Sequence, residues 1–437
     1  MPLSRRDFST DQHGWAELLP GRRAGGKLRG SHQVAWVVIG AGFTGLACAR
    51  RLAELHKGDE ILLVDARQIG QGASGRNAGF AIVASQFPGA YETARMPEYK
   101  RLNRINQAGV ELLRAQVKKH AIDCEWDENG FHYGAADKLS MAECEYFLQY
   151  LEIMEVPHTS LDQPALQERL GTGVYKKGVH VPVGALMQPA ALVYGLVDSL
   201  PENVTIYENS PVLKIHHGAP LVLDLDQADI TTENVVIATN YEAGKIGFLN
   251  RFLTTGTLAG SFTRVLSHKE LASLGSLKQW GVLSLHGGGA TVRLTGDGRL
   301  VVRNTVEYNG NALLSDRQLA KRRAVHRESF ERRFPQLAHV PFEYSWSGVE
   351  GISRNGTSFF GKQRDNVFLA GGYNGSGVSK GTAFGAALAE YASGGQSQLI
   401  NDCLASKPGQ WMPPRPLLDV GAAFKIALRL KGIGLDR

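Results

Sequence analysis

Three glycines and a carboxylate at a fixed distance are the clearest chemical signal in this chain. Gly40, Gly42 and Gly45 have the GxGxxG spacing, and Asp65 lies twenty positions past the last of them. Glycines permit a tight turn and a close approach of the backbone to a pyrophosphate, which the N–H groups at a helix N-terminus can bind. Asp65 can accept hydrogen bonds from ribose hydroxyls. These residues predict a dinucleotide site, although the motif alone does not separate FAD from NAD.

The elements that must position these residues are two strands and a helix. A short apolar run over residues 34–39 precedes the glycines, and a second apolar run ends directly before Asp65. Between them Leu46, Ala49 and Ala53 recur at helical spacing. This order predicts a parallel βαβ unit that opens a Rossmann-type fold. A βαβ unit with an incidental glycine turn is the alternative.

Two further glycine-rich segments lie far from this unit. Residues 67–80 read RQIGQGASGRNAGF, and residues 371–381 read GGYNGSGVSKG between an apolar strand and a helical pattern. Such loops allow a ligand to approach the backbone closely. Residues 258–306 are instead rich in short strand patterns, which predicts a mixed or antiparallel sheet in a separate domain.

Composition describes a globular protein and excludes several classes. The chain has 437 residues, 43% hydrophobic and 21% charged, which suffices for two or three domains. No apolar run is long enough to span a bilayer, and the N-terminus carries Arg5, Arg6, Arg22 and Arg23 in place of an apolar signal core. We therefore expect a cytoplasmic protein.

Neither cysteines nor histidines have the spacing of a metal site, so we predict none. The four cysteines are scattered, without a CxxC pair, and the thirteen histidines show no HExxH pattern. The net charge of +6 could indicate nucleic acid, an acidic membrane, or a mildly basic enzyme that attracts anionic substrates. We favour the enzyme, because no aromatic and basic cluster typical of a nucleic-acid-binding module is present.

The order of motifs resembles a known family over nearly the whole chain. The segments are VVIGAGFTGLACARRL, LLVDARQIGQGASGRNAGF, GALMQPAALVYGLVDSL, VVIAT and FLAGGYNGSGVSKGTAFGAALAE. In this order they resemble the FAD-dependent amine and amino-acid oxidases of the D-amino-acid oxidase superfamily. The likeness extends to the group of sarcosine oxidase, glycine oxidase, γ-glutamylputrescine oxidoreductase and L-pipecolate oxidase. The C-terminal glycine loop, residues 371–381, also argues against an NAD-dependent dehydrogenase, which does not need it.

The resemblance implies an α/β fold with two domains. A discontinuous Rossmann-type FAD-binding domain would comprise residues 1–89, 186–247 and 343–437. A substrate domain with a large mixed or antiparallel sheet would comprise residues 90–185 and 248–342.

The resemblance also implies non-covalent FAD and a set of residues that hold it. The family's covalent members use Cys or His near the ring, and neither occurs in residues 74–79 or 300–306. The implied FAD-binding residues are Gly40, Gly42, Phe43, Thr44, Gly45, Asp65, Ala66, Arg67, Gly72, Ala73, Ser74, Arg76, Asn77, Ala78, Gly79, Val212, Ala238, Thr239, Gly372, Asn374, Gly375, Ser376, Gly377, Val378 and Ser379. A helix N-terminus near Lys380 would stabilise the negative charge of the reduced flavin.

The implied reaction is the oxidation of a C–N bond in a small amine or amino acid. Hydride would pass to flavin N5, and water would then hydrolyse the imine. Arg76, Arg303 and Lys380 are the candidate catalytic residues, although Arg303 could equally be a surface residue. Candidates for substrate binding are Tyr344, Trp346, Arg354 and Tyr373. Core packing is the alternative for each aromatic side chain, and a surface charge is the alternative for Arg354.

Several points stay open at the level of sequence. We expect O2 as the electron acceptor; a dehydrogenase that passes electrons to a quinone or a protein is the alternative. A basic amphipathic helix over residues 420–430 could dock on a membrane or simply close the FAD domain. The oligomeric state is not indicated.

Overall fold

The fold is built on two eight-stranded sheets and a two-stranded one. The computed structural model describes residues 13–22, 24–87, 89–430 and 433–436. The strands are β1 (Gly30–Ile39), β2 (Ile61–Val64), β3 (Phe80–Ala81), β4 (Phe131–Ala135), β5 (Thr159–Asp162), β6 (Lys177–Val181), β7 (Ala185–Leu186), β8 (Val204–Tyr207), β9 (Val212–His216), β10 (Leu221–Leu225), β11 (Ala228–Ile237), β12 (Leu253–Thr263), β13 (Trp280–Ser284), β14 (Thr291–Leu294), β15 (Leu300–Glu307), β16 (Phe342–Ser353), β17 (Phe359–Arg364) and β18 (Val367–Gly371).

Helices cover the sheets and connect their strands. They are α1 (Gly14–Glu17), α2 (Phe43–Leu55), α3 (Ala73–Arg76), α4 (Met96–Lys119), α5 (Lys138–Ile153), α6 (Gln163–Leu170), α7 (Pro189–Asp198), α8 (His268–Leu271), α9 (Asp316–Arg333), α10 (Gly377–Ala392), α11 (Gln398–Leu404) and α12 (Leu417–Leu430). Several begin at a residue whose side chain accepts a backbone N–H, as Asp137, Asp162 and Ser315 do for α5, α6 and α9.

The first sheet contains the predicted βαβ unit, which is confirmed. Its strand order is β17-β18-β11-β1-β2-β8, with β10 and β9 attached beyond β11. β1 pairs in parallel with β2 on one side and β11 on the other. The last four residues of β1 are buried, because helices or strands cover both faces of the sheet there.

Helix α10 packs between α2 and α4 at unusually short range. A Cβ at Gly385 would lie 2.1 Å from the Thr44 carbonyl oxygen, and one at Gly109 would lie 1.8 Å from the Ser379 carbonyl oxygen. The helices could not approach this closely with any side chain at these two positions. The C-terminal glycine loop is thereby fixed against the N-terminal one.

The second sheet is mixed, as predicted. Its order is β16-β12-β15-β14-β13-β4-β6-β5, antiparallel except where β4 and β13 run in parallel. Trp280, Phe330 and Phe334 belong to the core between this sheet and α9. β16 pairs with β12 along its whole length, so residues 343–353, predicted in the FAD-binding part, lie in this sheet. The division into two domains otherwise stays a prediction.

None of the helices in the described part of the chain combines the length and the apolar character that crossing a bilayer requires.

Candidate functional site

A cleft of about 1200 Å³ lies where the ends of the first sheet meet the second sheet. Its walls include residues that follow β1, β2, β11 and β18 and residues of β12, β15 and β16. Pockets for drug-sized ligands have roughly 300–1000 Å³, so this cleft has room for a dinucleotide and a small second molecule.

Most of the predicted cofactor-binding residues line this one cleft. They are Gly40, Gly42, Phe43, Thr44, Asp65, Ala66, Arg67, Gly72, Ala73, Ser74, Arg76, Asn77, Ala78, Val212, Ala238, Thr239, Asn374, Gly375, Ser376, Gly377 and Val378. Gly45, Gly79, Gly372 and Ser379 are not part of its wall. Gly79 and Gly372 lie in the adjoining loops, and Gly45 and Ser379 lie in the first turns of α2 and α10.

The glycine turn after β1 has the geometry that its sequence requires. Gly40 has φ +99°, a conformation that favours glycine. A Cβ at Gly45 would lie 1.7 Å from the Gly40 carbonyl oxygen, so the first turn of α2 packs directly on the loop. At Gly42, a Cβ would lie 2.7 Å from Ser74 Oγ. The close neighbour of Gly42 within the protein is therefore the second glycine loop.

The Asp65 carboxylate is fixed by backbone donors at the end of β2. The Ala41 N–H donates to Oδ2 at 2.8 Å, and the Arg67 N–H donates to Oδ1 at 2.9 Å. Burial raises the pKa of this carboxyl, and the two N–H groups act in the opposite direction. Arg67 pairs with the carboxylate of Glu242 across the cleft wall. The end of β2 thus presents a fixed acceptor for hydroxyl groups.

Arg76 ties the second glycine loop to the second sheet. Its Nη1 donates to the Ser347 carbonyl at 2.9 Å, and its Nε and Nη2 donate to Gln71 at 2.8 Å each. The Trp346 indole N–H donates in return to the Arg76 carbonyl at 3.1 Å. Because the side chain is only 6% exposed, these bonds hold it within the wall.

The C-terminal loop is shaped by residues with positive φ and closed by Asn374. Gly372, Asn374 and Gly375 have φ of +76°, +52° and +91°. Asn374 Nδ2 donates to the Gly372 carbonyl at 2.7 Å, and its Oδ1 accepts the Ser353 N–H at 2.9 Å. The loop is therefore bonded to the end of β16 before α10 begins.

The donors of the cleft fit an anionic dinucleotide. Helices α2 and α10 both start at its wall, and their N-cap residues, Gly42 and Ser376, make no side-chain cap hydrogen bond. Helix N-termini without such caps carry N–H groups that can bind anions. With the Asp65 carboxylate at the neighbouring strand end, the set suits a pyrophosphate, a ribose and the anionic edge of a reduced flavin.

The remaining two catalytic candidates also line the cleft. Arg303 projects from β15 and is half-buried. Lys380 lies in the first turn of α10 and is only 6% exposed, with Nζ 3.5 Å from the Tyr373 carbonyl oxygen. Burial lowers the pKa of Lys380 to about 8, and the nearby Arg101 contributes in the same direction.

The four predicted substrate-binding residues have different surroundings. Arg354 is exposed on the cleft wall and donates from Nη1 to the Trp411 carbonyl at 3.1 Å. Trp346 and Tyr373 reach the wall but are 4% and 6% exposed. Tyr344 is outside the wall and packs on the cluster formed by Trp15, Phe262 and Trp346.

Several residues of the cleft wall were not predicted from the sequence. They include Asn240, His286, Glu350 and Lys425. Asn240 could have been found, because it lies three positions past the end of the apolar strand β11. Its Oδ1 accepts the Gly372 N–H at 2.8 Å. The other three carry no local signal, since the sheet register and the path of α12 bring them to the cleft.

Comparison with known proteins identifies the family. The family model for FAD dependent oxidoreductases matches residues 35–391, and the chain belongs to this family. The predictions of an oxidoreductase and of FAD as its cofactor are confirmed.

Individual relatives agree with this assignment. The chain is 27% identical over 413 residues to γ-glutamylputrescine oxidoreductase of Escherichia coli, covering 89% of this chain and 91% of the relative. Among solved structures it is similar to glycine oxidase from Geobacillus kaustophilus, with a TM-score of 0.74, 17% identity, and coverage of 86% and 100%. L-Proline dehydrogenase from P. horikoshii gives a TM-score of 0.70, 18% identity, and coverage of 84% and 96%. These structures confirm the predicted fold class.

Proposed function

We propose that this FAD-dependent oxidoreductase oxidises the C–N bond of an amine or amino acid and passes the electrons to O2. One observation carries the proposal: the N-terminal and C-terminal glycine loops meet at one cleft. A direct hydrogen bond between the hydroxyls of Thr44 and Tyr373 joins the two segments. The names of the relatives support the substrate class: γ-glutamylputrescine is an amine with a carboxylate, and glycine and proline are amino acids.

FAD, when bound, supplies the acceptor for the hydride from the carbon beside the amine nitrogen. The chain's own residues then orient the substrate and stabilise charge. The N-terminus of α10 favours negative charge beside it. Behind the β12 and β16 walls, Phe262 and Trp346 pack in an apolar cluster that fixes these walls.

Charged groups of both signs suit a substrate that carries an ammonium and a carboxylate. The cleft is lined by the cations Arg303 and Arg354 and by the carboxylates Glu143 and Glu350. An arginine can bind a carboxylate through two parallel hydrogen bonds, so we assign the substrate carboxylate to Arg303 or Arg354.

Lys380 supports O2 as the acceptor. Its ammonium is buried in the first turn of α10 at the cleft wall, where the low dielectric strengthens its interaction with a nearby charge. Such a cation stabilises the negative charge that O2 gains when it takes up an electron. A dehydrogenase of the same fold would instead reduce a quinone or a protein.

A cytoplasmic location agrees with the state of the thiols. Cys48, Cys124, Cys144 and Cys403 are all free and buried, as is usual in a reducing compartment. None of the four lines the cleft, which supports the proposal that FAD is held without a covalent bond to cysteine.

The test is product analysis of the purified yellow enzyme. With a panel of amines, polyamines and amino acids in air, the active substrate should give equal amounts of hydrogen peroxide and of the carbonyl product of imine hydrolysis. A carbonyl product without peroxide would favour the dehydrogenase alternative. Acid precipitation should release the flavin; flavin that stays with the protein would contradict non-covalent binding.

A further inference from the structure

Helix α12 presents an apolar stripe to solvent. Leu417, Val420, Phe424 and Leu428 are 66%, 69%, 65% and 54% exposed. Their spacing of three, four and four residues places them on one face of the helix. Large apolar side chains are exposed singly on most proteins, but a continuous row of four is typical of an interaction surface.

The opposite face of α12 contacts the rest of the protein, and the stripe therefore faces solvent. Asp419 accepts a hydrogen bond from the Tyr308 hydroxyl and pairs with Arg415, whose Nε is 3.2 Å from Oδ1. A Cβ at Gly288 would lie 2.9 Å from Leu430 Cδ2, so the end of the helix packs tightly on the loop after β13. One side of the helix therefore packs on the protein, and its exposed apolar side faces solvent.

The stripe lies beside the mouth of the cleft. Lys425, one residue past Phe424, lines the cleft, as does Arg354, which binds the carbonyl of Trp411. Trp411 is itself 54% exposed. Trp411 precedes α12 by six positions in the sequence, and exposed tryptophans are enriched at the water–membrane interface.

The sequence of this segment carries more basic than acidic residues. Residues 411–431 contain Arg415, Lys425, Arg429 and Lys431 against the single acid Asp419. An apolar helix face flanked by basic residues matches a membrane surface that contains anionic lipids.

A second copy of the chain fits this face less well. The four side chains offer on the order of 400 Å², whereas a stable protein interface buries about 800 Å² on each partner. A symmetric dimer through α12 would also bring Lys425 and its neighbours close to their own copies. Insertion of the same row into a headgroup layer needs no such area.

We propose that α12 binds this enzyme peripherally to anionic lipid membranes, with the stripe inserted and the cleft mouth beside the bilayer. This inference does not depend on the substrate or on the electron acceptor. It concerns an interfacial helix and not a membrane span.

The test is vesicle co-sedimentation of the full-length FAD-loaded enzyme. One set of vesicles contains phosphatidylcholine alone, and the other contains phosphatidylcholine with phosphatidylglycerol. The informative variant is Leu428→Asp; the matched control is Leu404→Asp, because Leu404 is 44% exposed in the last turn of another helix, α11. Activity on a soluble amine and flavin content are measured for each variant to show that it is folded.

We expect the enzyme and Leu404→Asp to sediment with the anionic vesicles and at least tenfold less with the neutral ones. Leu428→Asp should lose this binding while it keeps its activity in solution. Failure of the enzyme to sediment with anionic vesicles, or binding that Leu428→Asp retains, would overturn the proposal. A dimer that Leu428→Asp converts to a monomer, without vesicle binding, would assign the stripe to self-association instead.

Discussion

The hydroxyl groups of Thr44 and Tyr373 lie 2.7 Å apart, although 329 positions separate these residues in the chain. Thr44 belongs to the first turn of α2, directly after the GxGxxG turn, and Tyr373 belongs to the loop that precedes α10. This buried bond joins the two glycine loops at the cleft. It is one of the contacts that bring distant segments of the chain together at a single cleft.

The bond predicts the behaviour of Tyr373→Phe. Removal of the phenol oxygen leaves the buried Thr44 hydroxyl without this partner, which costs about 1–3 kcal/mol of unfolding free energy. FAD should also bind more weakly, because the two loops are less firmly held together. Urea unfolding and FAD titration of the apoenzyme measure the two effects. Tyr391→Phe is the control, because Tyr391 lies farther along α10 and is half-buried. An equal loss of stability and of FAD affinity in Tyr391→Phe would show that the bond between Thr44 and Tyr373 has no special role.

Gly45→Ala should prevent stable FAD binding. The new Cβ would lie 1.7 Å from the Gly40 carbonyl oxygen, so either the turn or α2 must shift by more than 1 Å. Overpacking of this kind costs about 1–3 kcal/mol or more. Gly58→Ala is the matched control, because a Cβ at Gly58 meets nothing within 4 Å and Gly58 is not part of the cleft wall. Flavin content per chain and the melting temperature provide the comparison, and a Gly45→Ala enzyme with full flavin would contradict the packing argument.

Arg76 should prove essential through its shape and not its charge alone. Arg76→Lys keeps a cation, but one ammonium cannot reach the Ser347 carbonyl and both oxygens of Gln71 at once. Both Arg76→Lys and Arg76→Ala should therefore weaken FAD binding about tenfold or more. The measurement is the dissociation constant of FAD by fluorescence. Recovery of wild-type affinity in Arg76→Lys would show that charge suffices, and unchanged kinetics in Arg76→Ala would exclude Arg76 from the site.

The pH dependence of O2 reduction should report on Lys380. Because burial lowers its pKa to about 8, the ammonium is charged below that pH and loses its proton above it. The rate at which O2 reoxidises the substrate-reduced enzyme should fall as the pH rises through about 8. In Lys380→Met it should be lower at pH 7, by up to about 100-fold, and no longer depend on this ionisation. A stopped-flow series from pH 6 to pH 10 tests this, and an unchanged profile in the variant would assign O2 reactivity elsewhere.

The lowered pKa of Lys380 also predicts how the free energy of unfolding depends on pH. The folded pKa of about 8 lies below the ordinary value of 10.5, so the unfolded state binds more protons between these values. The free energy of unfolding contributed by Lys380 therefore rises with pH in that window. Lys380→Met should lack this rise and should be no less stable than the wild type at pH 7. A large loss of stability would indicate that the ammonium is a structural contact.

The sequence predicted most of the residues that line one end of the cleft, because their signals are local. That these residues hold FAD stays a prediction. Gly40, Gly45 and Asp65 act through a turn, a helix start and a strand end that lie within one βαβ unit. Their spacing therefore carries almost all the information about their positions. The C-terminal loop could be recognised for the same reason, and α10 begins at Gly377, which places Lys380 in its first turn.

The substrate end depends on contacts between distant strands, which the spacing of residues does not encode. Tyr373 and Trp346 carry the right chemistry for a pocket, but their polar atoms bond to Thr44 and to the Arg76 carbonyl. Their roles in substrate binding stay predictions, as does that of Tyr344. The register that pairs β16 with β12, and not with the first sheet, also lies beyond any local pattern.

Anaerobic reduction by substrate tests the central claim most directly. Purified enzyme should contain one oxidised flavin per chain, and an amine or amino acid added without O2 should abolish its visible absorbance in a one-to-one titration. Admission of air should restore the absorbance and yield hydrogen peroxide. If no amine, polyamine or amino acid reduces the bound flavin while dithionite does, oxidation of a C–N bond is the wrong reaction for this enzyme.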